Sequence, residues 1–285
     1  MPSFWFGTTI ARMTTCAYVT FDDPDGHDDE RTTALDAWHA TGINGRPERW
    51  DDPGVDWAAY DAVVVRSVWD YVDRRAEFLS WARRVESVTR LLNPAAVLDA
   101  NTDKTYLRDL GVPIVPTHWS ARELPLWDDY VVKPAISAGA RDTIRTADRD
   151  RAQAHAAALE AAGRTPMVQP YLDMVESEGE TSLLYFNRRF SHAVRRTPML
   201  APGMTAADGV RAQSRTPAPD QVELAEKVLA AIPQALLYAR IDLVRLHDGS
   251  PAVIEVELTE PYLYLRAEPE AAARLAAALR ELISR

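Results

Sequence analysis

A single cysteine, Cys16, stands in a chain of 285 residues. One thiol excludes an intramolecular disulfide and leaves no multi-cysteine zinc site, which fits a reducing cytoplasm. No apolar run approaches the roughly 18 residues of a membrane span, and residues 1–12 lack the unbroken apolar stretch of a signal peptide. The expected location is the cytoplasm, with no membrane partner. Positive charge is in deficit too: 32 Lys and Arg face 42 Asp and Glu, a net charge of -10. A nucleic-acid backbone is repelled by such a chain, so nucleic acid is not an expected partner. Three glycine signatures are missing as well. The absence of G-x-x-x-x-G-K-[ST] excludes a P-loop, and neither G-x-G-x-x-G after a strand nor G-x-S-x-G around a serine occurs.

What is present is the balance of a globular enzyme, 47% hydrophobic and 26% charged residues, long enough for two or three lobes. A homo-oligomer is compatible with this composition. Met13 stands just before the first strand-like run, so residues 1–13 are expected to be a start-site extension with little structure. Thr15 to Phe21 and Ala62 to Val65 predict strands, the second of the uninterrupted apolar kind found in parallel sheets buried on both faces. Helices are expected at Glu30 to Thr41, Phe78 to Val88, Thr102 to Leu110, Arg149 to Ala162, behind Pro219, and at Pro269 to Ile283. Further strands are expected at Asp129 to Pro134 and Met167 to Gln169, with a hairpin at Thr181 to Arg196. The fold class is therefore α/β.

The most informative stretch is Tyr238 to Leu258, two alternating strands around Asp248-Gly249, a preferred pair for a two-residue turn. That turn places Asp242 opposite Glu255 and Arg240 opposite Glu257, all on one face, with Ala239, Ile241, Leu243, Ile254, Val256 and Leu258 on the other. Three crowded acids call for a cation, and oxygen-only ligands favour Mg²⁺ or Mn²⁺. Taken alone, the same hairpin also reads as a solvated face with Arg240 paired to one acid. Upstream, Asp129-Tyr-Val-Val-Lys133-Pro ends a strand on a lysine, and Ala135-Ile-Ser-Ala-Gly-Ala140 follows as a loop of small residues. Small side chains let backbone N–H groups approach phosphate oxygens closely.

The order of these features resembles the ATP-grasp superfamily. Asp103-Lys104, Leu110 to Thr117, Val131-Val-Lys133-Pro, Ser137 to Ala140, Val168-Gln-Pro-Tyr-Leu172, Gly179-Glu180, Arg240-Ile-Asp242 and Glu255-Val-Glu257 follow the superfamily's succession. The chain departs from the pattern at Glu257, where Asn is usual, and in a phosphate loop with one glycine. The resemblance implies a pre-ATP-grasp α/β lobe at 14–94, a central lobe with an ATP lid at 95–178, and an ATP- and metal-binding lobe at 179–285. It implies ATP as cosubstrate, held by Lys104 and Lys133 on the phosphates and by Ser137, Ala138 and Gly139 over the transferring group. Gln169, Tyr171 and Leu172 would face adenine, and Glu180 or Glu176 the ribose. Asp242, Glu255 and Glu257 would hold Mg²⁺ or Mn²⁺. Arg240 would stabilise the transferring phosphoryl group, with Arg195 and Arg211 as further catalytic candidates. Since a guanidinium fork matches a carboxylate, Arg66, Arg195, Arg196 and Arg211 are candidates for the substrate carboxylate.

Arg66-Ser-Val-Trp-Asp70-Tyr, Asn93-Pro, Lys133 to Thr143, Gly209 to Gln213 and Glu255 to Pro261 look like the subgroup containing the cyclo-ligase of D-cycloserine biosynthesis. That implies phosphorylation of the O-ureido-D-serine carboxylate and ring closure by the substrate's own nitrogen, with Asp70 or Asp142 orienting its ureido or amino group. The alternatives are an intermolecular carboxylate–amine ligase, a kinase stopping at the acyl phosphate, and a non-catalytic nucleotide-binding relative.

Overall fold

A computed structural model describes residues 13–23, 25–197 and 212–285. Residues 1–12 of the expected extension and the candidate Arg211 lie outside these. The first sheet is wholly parallel, in the order β2-β1-β3-β4, from β1 (Thr14–Thr20), β2 (Ile43–Arg49), β3 (Ala62–Ser67) and β4 (Leu91–Leu92). Every residue of β3 is buried, as its apolar run requires. Helix α1 (Arg31–Ala40) and α2 (Arg75–Val88) follow β1 and β3. The helix expected at 102–110 is only a 3₁₀ turn at Lys104–Asp109, which begins where Asp103 accepts the Thr105 N–H, and the α-helical turn lies before it, in α3 (Ala95–Asn101).

A three-stranded antiparallel sheet follows, β6-β5-β7, from β5 (Tyr130–Pro134), β6 (Ile144–Thr146) and β7 (Pro166–Pro170). It is backed by α4 (Arg149–Ala161), whose first turn is capped by the Asp148 carboxylate. After the short α5 (Met174–Ser177) comes an antiparallel sheet in the order β10-β9-β8-β11-β12. Its strands are β8 (Glu180–Phe186), β9 (Arg189–Arg196), β10 (Ala212–Ser214), β11 (Tyr238–Arg245) and β12 (Pro251–Glu257). Helix α6 (Pro219–Ala230) covers one face through Leu224, Ala225 and Val228, while α7 (Ala271–Ile283) packs Leu275 and Leu279 into a core shared with Tyr18 and Trp38 of the first sheet. Among the described residues, no helix is long and apolar enough to cross a membrane.

Two devices lock the first and last sheets together. Asn93 donates to Tyr238 O and Leu258 O and accepts from Leu237 N at 2.7–3.0 Å. The outer edge of β12 is closed by side chains and by a neighbouring segment. Asn101 bonds Val256 O and Leu258 N, the Tyr106 hydroxyl bonds both Val256 N and O, and residues 113 and 115 pair with Val253.

His192, on β9, is buried with Nε2–H donating to Leu263 O at 3.0 Å. Burial pulls its pKa down from 6.5 to about 4. A depressed histidine contributes stability above its unfolded value and loses it as pH falls towards the folded one, because only the unfolded chain then takes up the proton. The loss between pH 6.5 and 4 should reach about 3 kcal/mol for this group. Urea denaturation of the wild type and of His192→Phe across that window should show the shallower acid slope in the variant.

Candidate active site

The hairpin β11–β12 pairs Arg240 with Glu257 and Asp242 with Glu255, the register expected from the sequence. The route differs. The turn is a three-residue loop, Leu246 N bonding Ser250 O, with Gly249 at φ +83 in the left-handed region that glycine tolerates. This shifts the pairing by one residue, and a bulge next to Asp242 restores it. Ile254 is the unpaired residue of that bulge. It therefore leaves the core face predicted for it and lines the site beside Val244, the re-aiming that bulges produce next to functional groups.

These strands form one side of a cavity of about 1030 Å³ lined by all three sheets' loops or strands. Lys104, Lys133 and the loop Ser137–Ala138–Gly139 face it from one side, and Arg240, Glu255 and Glu257 from the other. Lys104 Nζ donates to Ser137 O at 2.7 Å and lies 3.2 Å from Glu255 Oε1. Burial works against its charge, yet Glu255 and Glu257 hold its pKa above the usual value. The Lys133 side-chain amine has no ion pair or hydrogen bond among the described residues. Burial pulls its pKa down, and positive Lys104 and Arg196 add to this against Glu255.

Asp242 is fully buried and does not line the cavity. Its oxygens accept from Arg240 at 3.0 Å and Ser182 at 2.7 Å, with Arg196 3.2 Å away. Burial alone would raise its pKa, but Arg196 and Arg240 hold it below the ordinary carboxylate range. Arg240 also donates to Glu257 and, at 3.1 Å, to Tyr262 O. Among the described residues, no group of three or more His, Cys, Asp or Glu side chains is arranged to hold a metal ion. The donor chemistry that suits a hard divalent cation is left to the half-exposed Glu255 and Glu257, because both Asp242 oxygens are taken by guanidinium groups and a hydroxyl.

Gln169, Tyr171 and Leu172 line the cavity. Tyr171 N is bonded to Asp129 O, whereas Leu172 N has no such partner among the described residues. Arg145 lies over the Tyr171 ring at 3.3 Å, and Glu176 accepts from the Tyr171 hydroxyl outside the cavity lining. Glu180 does line it, bonded to Arg196. The close approach of β8 and β9 there needs Gly179: at φ +78, a Cβ would come within 2.7 Å of Arg196 O.

The other arginine and aspartate candidates have different surroundings. Arg195, one residue from Arg196 and so on the opposite face, donates to Glu178 O and Ser177 O. Arg66 is buried outside the lining, pairing with Glu30 at 3.5 Å and donating to Pro261 O at 3.1 Å. Asp70 accepts from Trp50 Nε1, and exposed Asp142 pairs with Arg164; neither lines the cavity.

Two residues outside the sequence motifs, Tyr262 and Tyr264, line the far end together with Glu260, Trp69 and Tyr71, which belong to the motifs at Glu255 to Pro261 and Arg66 to Tyr71. The signal was available in the alternation of Tyr262 and Tyr264 with buried Leu263 and Leu265. Glu30 accepts from Leu263 N and Leu265 N, both at 2.7 Å, and so clamps Tyr264 at φ +51. A non-glycine residue in that region costs of order 1–3 kcal/mol and persists only where its surroundings over-determine it.

Fold and site together define an ATP-grasp ligase, an ATP-dependent enzyme that forms carbon–nitrogen bonds. Residues 16–93 match the family described as the N-terminal domain of the D-cycloserine synthetase DcsG. The cycloserine biosynthesis protein DcsG of Streptomyces lavendulae is 37% identical over 273 residues, covering 87% of this chain and 91% of that protein. The chain therefore belongs to the DcsG family. A crystal structure of D-cycloserine synthetase DcsG superimposes with a TM-score of 0.85 at 35% identity, over 94% of this chain and 99% of the other. At 14% identity, the D-alanine–D-alanine ligase of Bacillus anthracis shares the fold alone, with a TM-score of 0.64 over 95% and 98% of the two chains.

Proposed function

We propose that the enzyme closes O-ureido-D-serine to D-cycloserine. The reading is carried by one observation: buried Lys104, half-buried Lys133 and a loop of small residues face Arg240, Glu255 and Glu257 across a single cavity, in a chain 37% identical to a cycloserine biosynthesis protein. A substrate carboxylate oxygen attacks the γ-phosphorus and ADP leaves. The nitrogen bound to the side-chain oxygen then attacks the acyl carbon and phosphate leaves. For free D-cycloserine, hydrolysis must also remove the carbamoyl group from that nitrogen as carbon dioxide and ammonia. A nucleophile tethered within reach gains the large effective molarity of ring closure.

Lys104 and Lys133 neutralise the phosphates, and the amides of Ser137, Ala138 and Gly139 cover the transferring group. The adenine edge meets the hinge at Tyr171 and Leu172, and Glu180 meets the ribose. Glu255 and Glu257 would hold Mg²⁺, which would supply neutralisation of the phosphate charge. Arg240 and Arg196 favour a carboxylate beside them. The same reading divides the chain at residues 94 and 178 and places the enzyme in the cytoplasm. Incubation with O-ureido-D-serine and ATP, without added amine, should give D-cycloserine, ADP and phosphate by mass spectrometry. ADP formed only when a second amino acid is supplied would overturn cyclisation in favour of intermolecular ligation.

A further inference from the structure

Five carboxyl groups among the described residues line the cavity: Asp29, Glu180, Glu255, Glu257 and Glu260. Four have a protein cation. Asp29 pairs with Arg266 at 3.4 Å, Glu180 with Arg196, Glu255 with Lys104 at 3.2 Å and Glu257 with Arg240. Glu260 has no cation within ion-pair distance among the described residues, and the Tyr71 hydroxyl is the polar group turned towards it. We infer that Glu260 is the counter-ion for the α-ammonium group of the substrate, in a subsite walled by Trp69, Tyr71 and Tyr262.

The backbone around Glu260 is fixed on every side. Its carbonyl accepts from Trp69 Nε1 at 3.3 Å, Pro261 O from Arg66 at 3.1 Å, and Tyr262 O from Arg240 at 3.1 Å, while the Tyr262 hydroxyl donates to Asp29. Aromatic faces around a carboxylate suit an ammonium, through attraction to the rings and to the charge. Burial first, and then negative Glu257, push Glu260 up to about 8, and the opposing pull of Lys104, which is beyond ion-pair distance, and of the Tyr71 hydroxyl does not offset them. A ligand cation relieves both. The arrangement also fits the chemistry along the strand. Glu255 and Glu257 come first and Glu260 lies just beyond, as an α-ammonium lies beyond the carboxylate that is phosphorylated.

This inference rests on the reading of the substrate as an amino-acid carboxylate. The test measures ATP-dependent ADP release with O-ureido-D-serine and D-serine and with their deaminated counterparts, 3-(ureidooxy)propionate and 3-hydroxypropionate. Wild type and Glu260→Gln are compared, and D-cycloserine is followed separately. Loss of a hydrogen-bonded charge partner should raise the KM for the amino acids roughly tenfold to a hundredfold in the variant. The KM for ATP, the Mg²⁺ requirement and the weak response to deaminated acids should stay unchanged, and Glu260→Asp should recover part of the affinity. Equal wild-type response to an amino acid and its deaminated counterpart overturns the assignment, as does an unchanged amino-acid KM in Glu260→Gln. A variant whose main defect is a higher Mg²⁺ requirement also overturns it, because Glu260 would then face a metal. Amine-dependent ADP release without D-cycloserine sinks the cyclisation reading and leaves the ammonium subsite standing.

Discussion

Replacing Arg240 by alanine is expected to destabilise the protein by about 3–5 kcal/mol, the usual consequence of removing one partner from a buried ion pair, and to bring ADP formation to background. The guanidinium is buried between Asp242 and Glu257 and donates to Tyr262 O. Without it, Asp242 keeps Arg196 and Ser182 but loses its two-point partner. Glu257 loses its cation, and the segment bearing Tyr262 loses an anchor. Equilibrium denaturation reads the first effect and an ADP assay the second. A variant that folds with wild-type stability would show that these carboxylates are satisfied from elsewhere.

Lys133→Met should behave in the opposite way on stability while still losing most activity. The Lys133 amine has no bonded partner among the described residues, and burial lowers its pKa. A lysine depressed in the folded state contributes stability only at pH above its unfolded value, near 10.5, and loses it as pH falls through the folded value. At neutral pH its charge therefore opposes folding. Removing that charge should leave the denaturation midpoint unchanged or raise it. ATP turnover should nevertheless fall by roughly 10²–10³-fold, the effect of deleting one charge-stabilising donor. Parallel denaturation and steady-state kinetics test this. A lowered midpoint would mean that the amine has an internal partner in the folded protein.

What the sequence made legible depended on how local the causes were. That Asp242 and Glu255 share a face follows from alternation; their pairing, counted from a two-residue turn, is found because the extra turn residue is cancelled by the bulge at Ile254. The bulge was not legible: nothing in Val253-Ile254-Glu255 marks which residue goes unpaired, and the three-residue turn was read as two. Strand β2 went unrecognised because Asn44, Gly45, Arg46 and Pro47 are poor strand formers. It sits at a sheet edge, held by parallel pairing to β1, and of its residues only Ile43 is fully buried. Arg66 was legible as a strand-end arginine, whereas its engagement was not. Glu30 and Pro261, its partners, stand 36 and 195 residues away. The arginines at 195 and 196 could be separated only once the register of β9 was known, because neighbouring residues of a strand face opposite ways.

The closed edge of β12 has a bearing on self-association. An open strand edge presents a row of unpaired amides and carbonyls that a second chain can extend. Here the groups at Val253, Val256 and Leu258 are taken by residues 113 and 115, Tyr106 and Asn101 of the same chain. The strand carrying Glu255 and Glu257 thus offers no template to another copy. A homo-oligomer of this protein must meet through some other surface or strand edge, and crowding of partly unfolded chains cannot seed on this strand until Asn101 and Tyr106 have first let go.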